Sequence, residues 1–146
     1  MASMIELREA GSRDEEYLKH CIQEAYHEFP RLLARGENTL VDAAERDLER
    51  VGAGFAHIAV QDGESVGAAW WLPDASPEDL IVAYYVEPGA RGQGIATRLL
   101  EHGLGECRRR EMRSAGIKTH PDNEASIALA RKIGFEPLVT LLRHEL

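Results

Sequence analysis

Val86-Glu87-Pro88-Gly89-Ala90-Arg91-Gly92-Gln93-Gly94-Ile95-Ala96-Thr97-Arg98-Leu99-Leu100 runs from the end of an apolar strand, through a glycine-rich loop, into a helix with apolar residues at helical spacing. Gly89, Gly92 and Gly94 permit backbone angles that gather several N–H groups on one concave side, and the missing side chains let a ligand approach the backbone. A helix starting near Gly94 adds the positive end of its dipole. Pro88 lacks an N–H donor, which fits a chain leaving a sheet. The stretch therefore reads as a cradle for a diphosphate, with a ligand-free glycine turn as the plain alternative.

Two common phosphate loops are excluded. A Walker loop needs Gly-Lys followed by Ser or Thr, whereas Gly94 is followed by Ile95. A dinucleotide fingerprint needs glycines at 92, 94 and 97, and position 97 is Thr. Arg91-x-x-Gly94-x-Ala96 resembles instead the Q/R-x-x-G-x-G/A loop of the GNAT superfamily of acyl-CoA-dependent N-acyltransferases. The stretch from Asn123 to Gly134-Phe135 resembles the second signature of that superfamily, in which Asn opens a helix and Gly-Phe closes it. Met4-Ile5-Glu6-Leu7-Arg8 is similar to its first strand.

The remaining elements can be read from periodicity. Residues 5–8 read as a strand, and 12–29 as a helix with Ser12 and Glu15 forming a capping box and Leu18, Cys21, Ile22, Ala25 and Phe29 forming its apolar stripe. A second helix spans 40–50. Strands 55–61 and 65–72 are joined by Asp62-Gly63, a hairpin signal. The apolar run 80–86 is a central strand. Residues 95–114 form a helix closed by Gly116, in which Gly103 and Gly105 mark close packing or a kink. Residues 116–120 are a strand, Asp122 can cap the next helix, which ends at Gly134, and 138–145 are a last strand. The expected fold is a single α/β domain over 1–146: a mixed, mostly antiparallel GNAT-like sheet, splayed between central strands, with helices on both faces.

Composition fits one core of this size. No run reaches the ~18 apolar residues of a membrane span, and the start lacks the basic-then-apolar pattern of a leader, so a cytoplasmic location is the default expectation. Cys21 and Cys107 have no C-x-x-C partner and read as buried hydrophobes, and no metal site is expected. The first 80 residues carry 17 acids and 7 bases, and the rest 8 acids and 10 bases. That acidic first part suits a cationic amine by steering or serves solubility alone. Basic patches with interleaved aromatics are missing, which argues against nucleic acid as a partner. The short segment after Gly134 points to a homodimer.

The resemblance implies an acetyl-CoA-dependent N-acetyltransferase acting on a primary amine of a small molecule or peptide. It places the pantetheine arm against the backbone of Tyr85 and Val86, the pyrophosphate on Arg91, Gly92, Gln93, Gly94, Ile95, Ala96 and Thr97, and Asn123 on the other side. Two catalytic positions of the family depart from the pattern: the acidic residue three positions before the Val of V-x-P is Ala83, and the tyrosine seven residues after the Asn is Ala130. Substitutes follow from the strand period. Tyr85 shares a face with Ala83 and offers a phenol, while Glu78 and Asp79 could act through water. His57 and His120 are weaker bases without recognisable partners, one of Trp70 and Trp71 could wall an acceptor pocket, and Glu87 reads as solvent-facing. The rival function is a non-catalytic acyl-CoA-binding or regulatory domain, kept open by Ala83 and Ala130.

Overall fold

A computed structural model describes residues 4–28, 40–139, 142 and 144. The chain opens with β1 (Ile5–Glu9), a 3-10 turn (Ser12–Asp14) and α1 (Glu15–Glu28), followed by α2 (Leu40–Val51). Next come β2 (Phe55–Gln61), β3 (Glu64–Pro73) and β4 (Asp79–Val86), then a 3-10 turn (Pro88–Ala90), α3 (Ile95–Arg109), β5 (Ser114–Ile117) and α4 (Glu124–Ile133). The five strands lie in sequence order, with every neighbouring pair antiparallel except β4 and β5, which are parallel.

Local chemistry accounts for the element ends. Asp62 and Gly63 both have positive φ, 52° and 80°, the geometry of the tight turn that matches strand twist. The expected Ser12–Glu15 capping box is replaced by Asp14. Its carboxylate accepts from Gly11 N at 2.9 Å and from both terminal nitrogens of Arg8 at 2.6 and 2.7 Å, so the first turn tightens before α1 begins. Phe29, expected in α1, lies outside the described residues. The helix α3 stops at Arg109, well before Gly116. Glu111, at φ 57°, turns the chain while Met112 N donates to Cys107 O and Glu111 N to Arg108 O, a Schellman closure built without glycine. That earlier stop moves β5 forward to Ser114–Ile117. Asn123, rather than Asp122, caps α4. The expected last strand is not formed at its described residues: 138, 139, 142 and 144 carry no regular structure, and Leu138 and Leu142 are fully open to solvent.

Strand alternation divides the core in two. Ile58, Ala68, Trp70 and Tyr85 face α1 and α2, where Leu18, Cys21, Ile22 and Ala44 meet them. Phe55, Trp71, Val82 and Val86 face the other way, against Ile95, Leu99, Leu100 and Cys107 of α3. Trp70 and Trp71 are both completely buried, so neither walls a pocket. Each removes roughly 200 Å² of surface from water, worth about 5 kcal/mol at 25 cal/mol per Å². A one-residue slip of β3 would exchange the two rings between faces, which fixes its register.

Candidate functional site

β4 is fully paired on one edge and half paired on the other. On the β3 side its register runs from Leu80 opposite Pro73 to Val86 opposite Gly67. On the β5 side pairing covers only Asp79 to Val82, opposite Ser114 to Ile117. The strands therefore part beyond Val82. Glu87 N donates to Val66 O at 2.8 Å, so by alternation the N–H and C=O of Tyr85 face β3, while those of Tyr84 and Val86 face the opening. Strand-like backbone pairing there falls to Tyr84 and Val86.

The loop beyond β4 supplies a run of free donors. Among the described residues, the N–H groups of residues 92–97 have no acceptor; the first helical bond of this end is Arg98 N to Gly94 O. Gly92 and Gly94 hold positive φ of 84° and 79°, which turns the chain so that these donors gather ahead of α3. Gln93 does not reach into this space: its Nε2 donates to Ala90 O at 3.0 Å, and its Oε1 accepts from Gln61 Nε2 at 2.7 Å. Arg91 turns away as well. Its Nε donates to Val86 O at 2.8 Å, its Nη2 meets Glu28 Oε1 at 2.5 Å, and its guanidinium lies 5.4 Å from the centre of the Tyr85 ring. Asn123 spends its Oδ1 on Ser126 N at 3.1 Å, which leaves its amide donors available.

Tyr85 stands on the α1 face inside a polar cluster. Its ring meets His20 edge-on at 6.0 Å, and burial, reinforced by Glu87, pushes its phenol up. Glu87 is not solvent-facing as expected. Its Oε1 accepts from Tyr17 OH at 3.4 Å and lies 2.8 Å from His20 Nε2. Burial pushes the Tyr17 phenol far up and the Cys21 thiol up to about 12, so both stay protonated and Cys21 is no nucleophile.

Glu78 and Asp79 lie at the opposite end of β4, seven residues from Val86, roughly 23 Å at ~3.3 Å per residue. Asp79 is committed there: Arg113 binds it, Ser114 Oγ donates to it at 2.7 Å and Ser76 Oγ at 2.9 Å. The bond to Arg113 and those to the two serines hold its carboxyl well below the usual range, which makes it a poor base. Burial pulls His57 down to about 4, and its Nδ1 has no hydrogen-bond partner among the described residues. His120 faces Asp122, whose N–H lies 3.1 Å from its Nδ1.

Tyr84, Tyr17 and His20 escaped the sequence reading. Tyr84 packs toward α4, where burial raises its phenol and a hydrogen bond with Ser126 opposes that rise. The alternation that singled out Tyr85 carried the matching signal for Tyr84. His20 and Tyr17 sit one turn apart on α1, but their partner is some 70 residues away, and no local pattern joins them to it.

The model of the acetyltransferase (GNAT) family matches residues 16–135. No curated protein matches the chain. Among solved structures, an aminoglycoside N-acetyltransferase in complex with CoA superposes with TM-score 0.74 at 20% identity over 100% of this chain and 97% of its own. The ribosomal-protein-alanine N-acetyltransferase from Brucella melitensis gives 0.73 at 26% identity, covering 90% of this chain and 84% of its own. A transcriptional regulator from Bacillus halodurans C-125 gives 0.68 at 18% identity over 98% and 100%.

Proposed function

The chain belongs to the acetyltransferase (GNAT) family, and from that premise we propose that it transfers an acetyl group from acetyl-CoA to a primary amine of a small molecule or peptide. The run of acceptor-free N–H groups at residues 92–97, placed where β4 and β5 part, carries this reading. Six donors at a helix start match a diphosphate in charge and in number of hydrogen bonds. The N–H and C=O of Val86 and Tyr84 offer an added-strand edge to the amides of a pantetheine arm, with Val86 O shared with Arg91. Asn123 closes the far side with its free amide donors.

An ammonium group must lose a proton before it can attack a thioester, and the departing thiolate gains from a donor. Tyr85, kept protonated by burial and set on the face of Ala83, is the proposed donor. Glu78 and Asp79 stand too far along β4 to serve the same atoms. Acceptors of the sort named for the similar structures, an aminoglycoside or a peptide with N-terminal alanine, are the first to try. The second reading, a non-catalytic acyl-CoA-binding or regulatory domain, draws on Ala83 and Ala130 and keeps the same cradle.

Calorimetry with acetyl-CoA tests the common core of both readings: heat of binding and a raised melting temperature are expected. Gly94→Glu should abolish binding in a folded protein, because a side chain at φ 79° brings strain, bulk and a like charge into the cradle. Unchanged affinity in that variant would remove the loop from the cosubstrate site. Release of free thiol across an amine panel separates transferase from binding domain.

A further inference from the structure

Ala83 leaves the acceptor face of β4 without its carboxylate, yet four residues further along that face a carboxylate is held in place. Ala83, Tyr85 and Glu87 follow the two-residue period, and Glu87 is gripped by Tyr17 and His20 of α1. Four residues of strand would set Glu87 about 13 Å from Ala83. The imidazole closes part of that gap, since its ring packs against the Tyr85 ring.

We propose that His20 takes the proton from the incoming nucleophile and that Glu87 positions it, a role that rests on the transferase reading above. His20 Nε2 lies 2.8 Å from Glu87 Oε1, and with Nε2–H donating to the carboxylate, Nδ1 is the basic nitrogen. The groups facing the pair are Tyr17, Cys21 and Glu24 of α1, Tyr85 of β4, and Arg91 with Glu28. Tyr17, Cys21 and Tyr85 remain protonated. Arg91 spends its charge on Glu28 and Val86 O. With those groups committed, His20 Nδ1 is the basic nitrogen that the cluster leaves to accept a proton.

The step balances as follows. The ammonium gives one proton to Nδ1, and Glu87 offsets the imidazolium charge. The neutral nitrogen attacks the thioester carbon, the C–N bond forms and the C–S bond breaks. Tyr85 gives its phenolic proton to the departing sulfur and takes up the second proton of that nitrogen in its place. The imidazolium then returns its proton to water, to which its side chain is 46% exposed. A water molecule can replace the amine in the same sequence and yields acetate and free thiol.

The test follows acetyl-CoA cleavage, by thiol release, against pH for the full chain, His20→Gln and Glu87→Gln, first with water alone and then with an amine panel. Acetyl-CoA affinity, from thermal shift, reports on folding and on the cradle. The expected result is a wild-type rate that rises across the range in which an imidazole loses its proton. His20→Gln should be slower by ~10²-fold or more and lose that limb, consistent with removal of a general base. Glu87→Gln should be slower too, with the limb moved to lower pH because the imidazolium has lost its carboxylate. Both variants should bind acetyl-CoA as the parent does. If the parent cleaves the thioester and either variant keeps its rate and pH profile, the pair is structural and the proposal is overturned while the transferase reading stands. A parent that binds acetyl-CoA but cleaves nothing is a binding domain, and one that does not bind it has no such cradle; either result overturns the proposal through the reading beneath it.

Discussion

Tyr84 and Tyr85 are neighbours in sequence and serve opposite faces of the sheet, so the same substitution separates two roles. Tyr85→Phe should lower turnover within the ~10²- to 10⁴-fold span of a lost general acid while acetyl-CoA affinity holds. Full turnover with chemistry rate-limiting would leave Tyr85 as packing. Tyr84→Phe removes only the half-buried phenol that lies toward Ser126 and should leave turnover nearly intact, at a cost of about 1 kcal/mol or less in denaturant unfolding. At this scale the sequence was informative where one loop held the whole signal, as in the positive φ of Gly92 and Gly94. It misplaced Glu87 in solvent, because what turns that side chain inward is a histidine 67 positions earlier, brought there by the packing of α1 on β4.

Two glycines of α3 make opposite predictions. A Cβ at Gly103 would fall 2.2 Å from the Trp71 ring, so Gly103→Ala should destabilise by ~1–3 kcal/mol or more, as overpacking does, and lower the melting temperature. A Cβ at Gly105 meets nothing within 4 Å, and Gly105→Ala should stabilise by roughly 0.5–1 kcal/mol through helix propensity. Equal responses would refute the packing account. The sequence marked both glycines as weak points without telling them apart, since the discriminating ring lies on β3. Helix starts were better legible than stops. The end of α3 was missed because Glu111 adopts the left-handed conformation, a role that the residue alphabet assigns to glycine or asparagine.

Over the whole molecule, His57 links stability to pH. Its value in the folded chain, about 4, lies below the ordinary ~6.5, so the unfolded chain binds the extra proton between those limits. The stabilisation is complete above pH ~6.5 and is lost as pH falls toward about 4, by roughly 3 kcal/mol at full extent. His57→Gln should flatten that slope in unfolding measured across this range. The homodimer proposed from the sequence now has a specific surface to occupy: Leu138, Val139 and Leu142 are 95%, 84% and 87% exposed. Light scattering should show a dimer at micromolar concentration that Leu138→Asp and Leu142→Asp convert to monomer, and a monomeric parent would refute it. No helix among the described residues is long and apolar enough to cross a membrane. The half-paired edge of β4 carries one more consequence, on the timescale of solvent deuterium. In the free protein the amides of Tyr84 and Val86 should lose their protons quickly while Ala83 and Tyr85, bonded across to β3, lose theirs slowly, an odd–even beat along four consecutive residues. A molecule that lies in the opening as an extra strand should silence that beat, slowing the even positions and leaving the odd ones where they were.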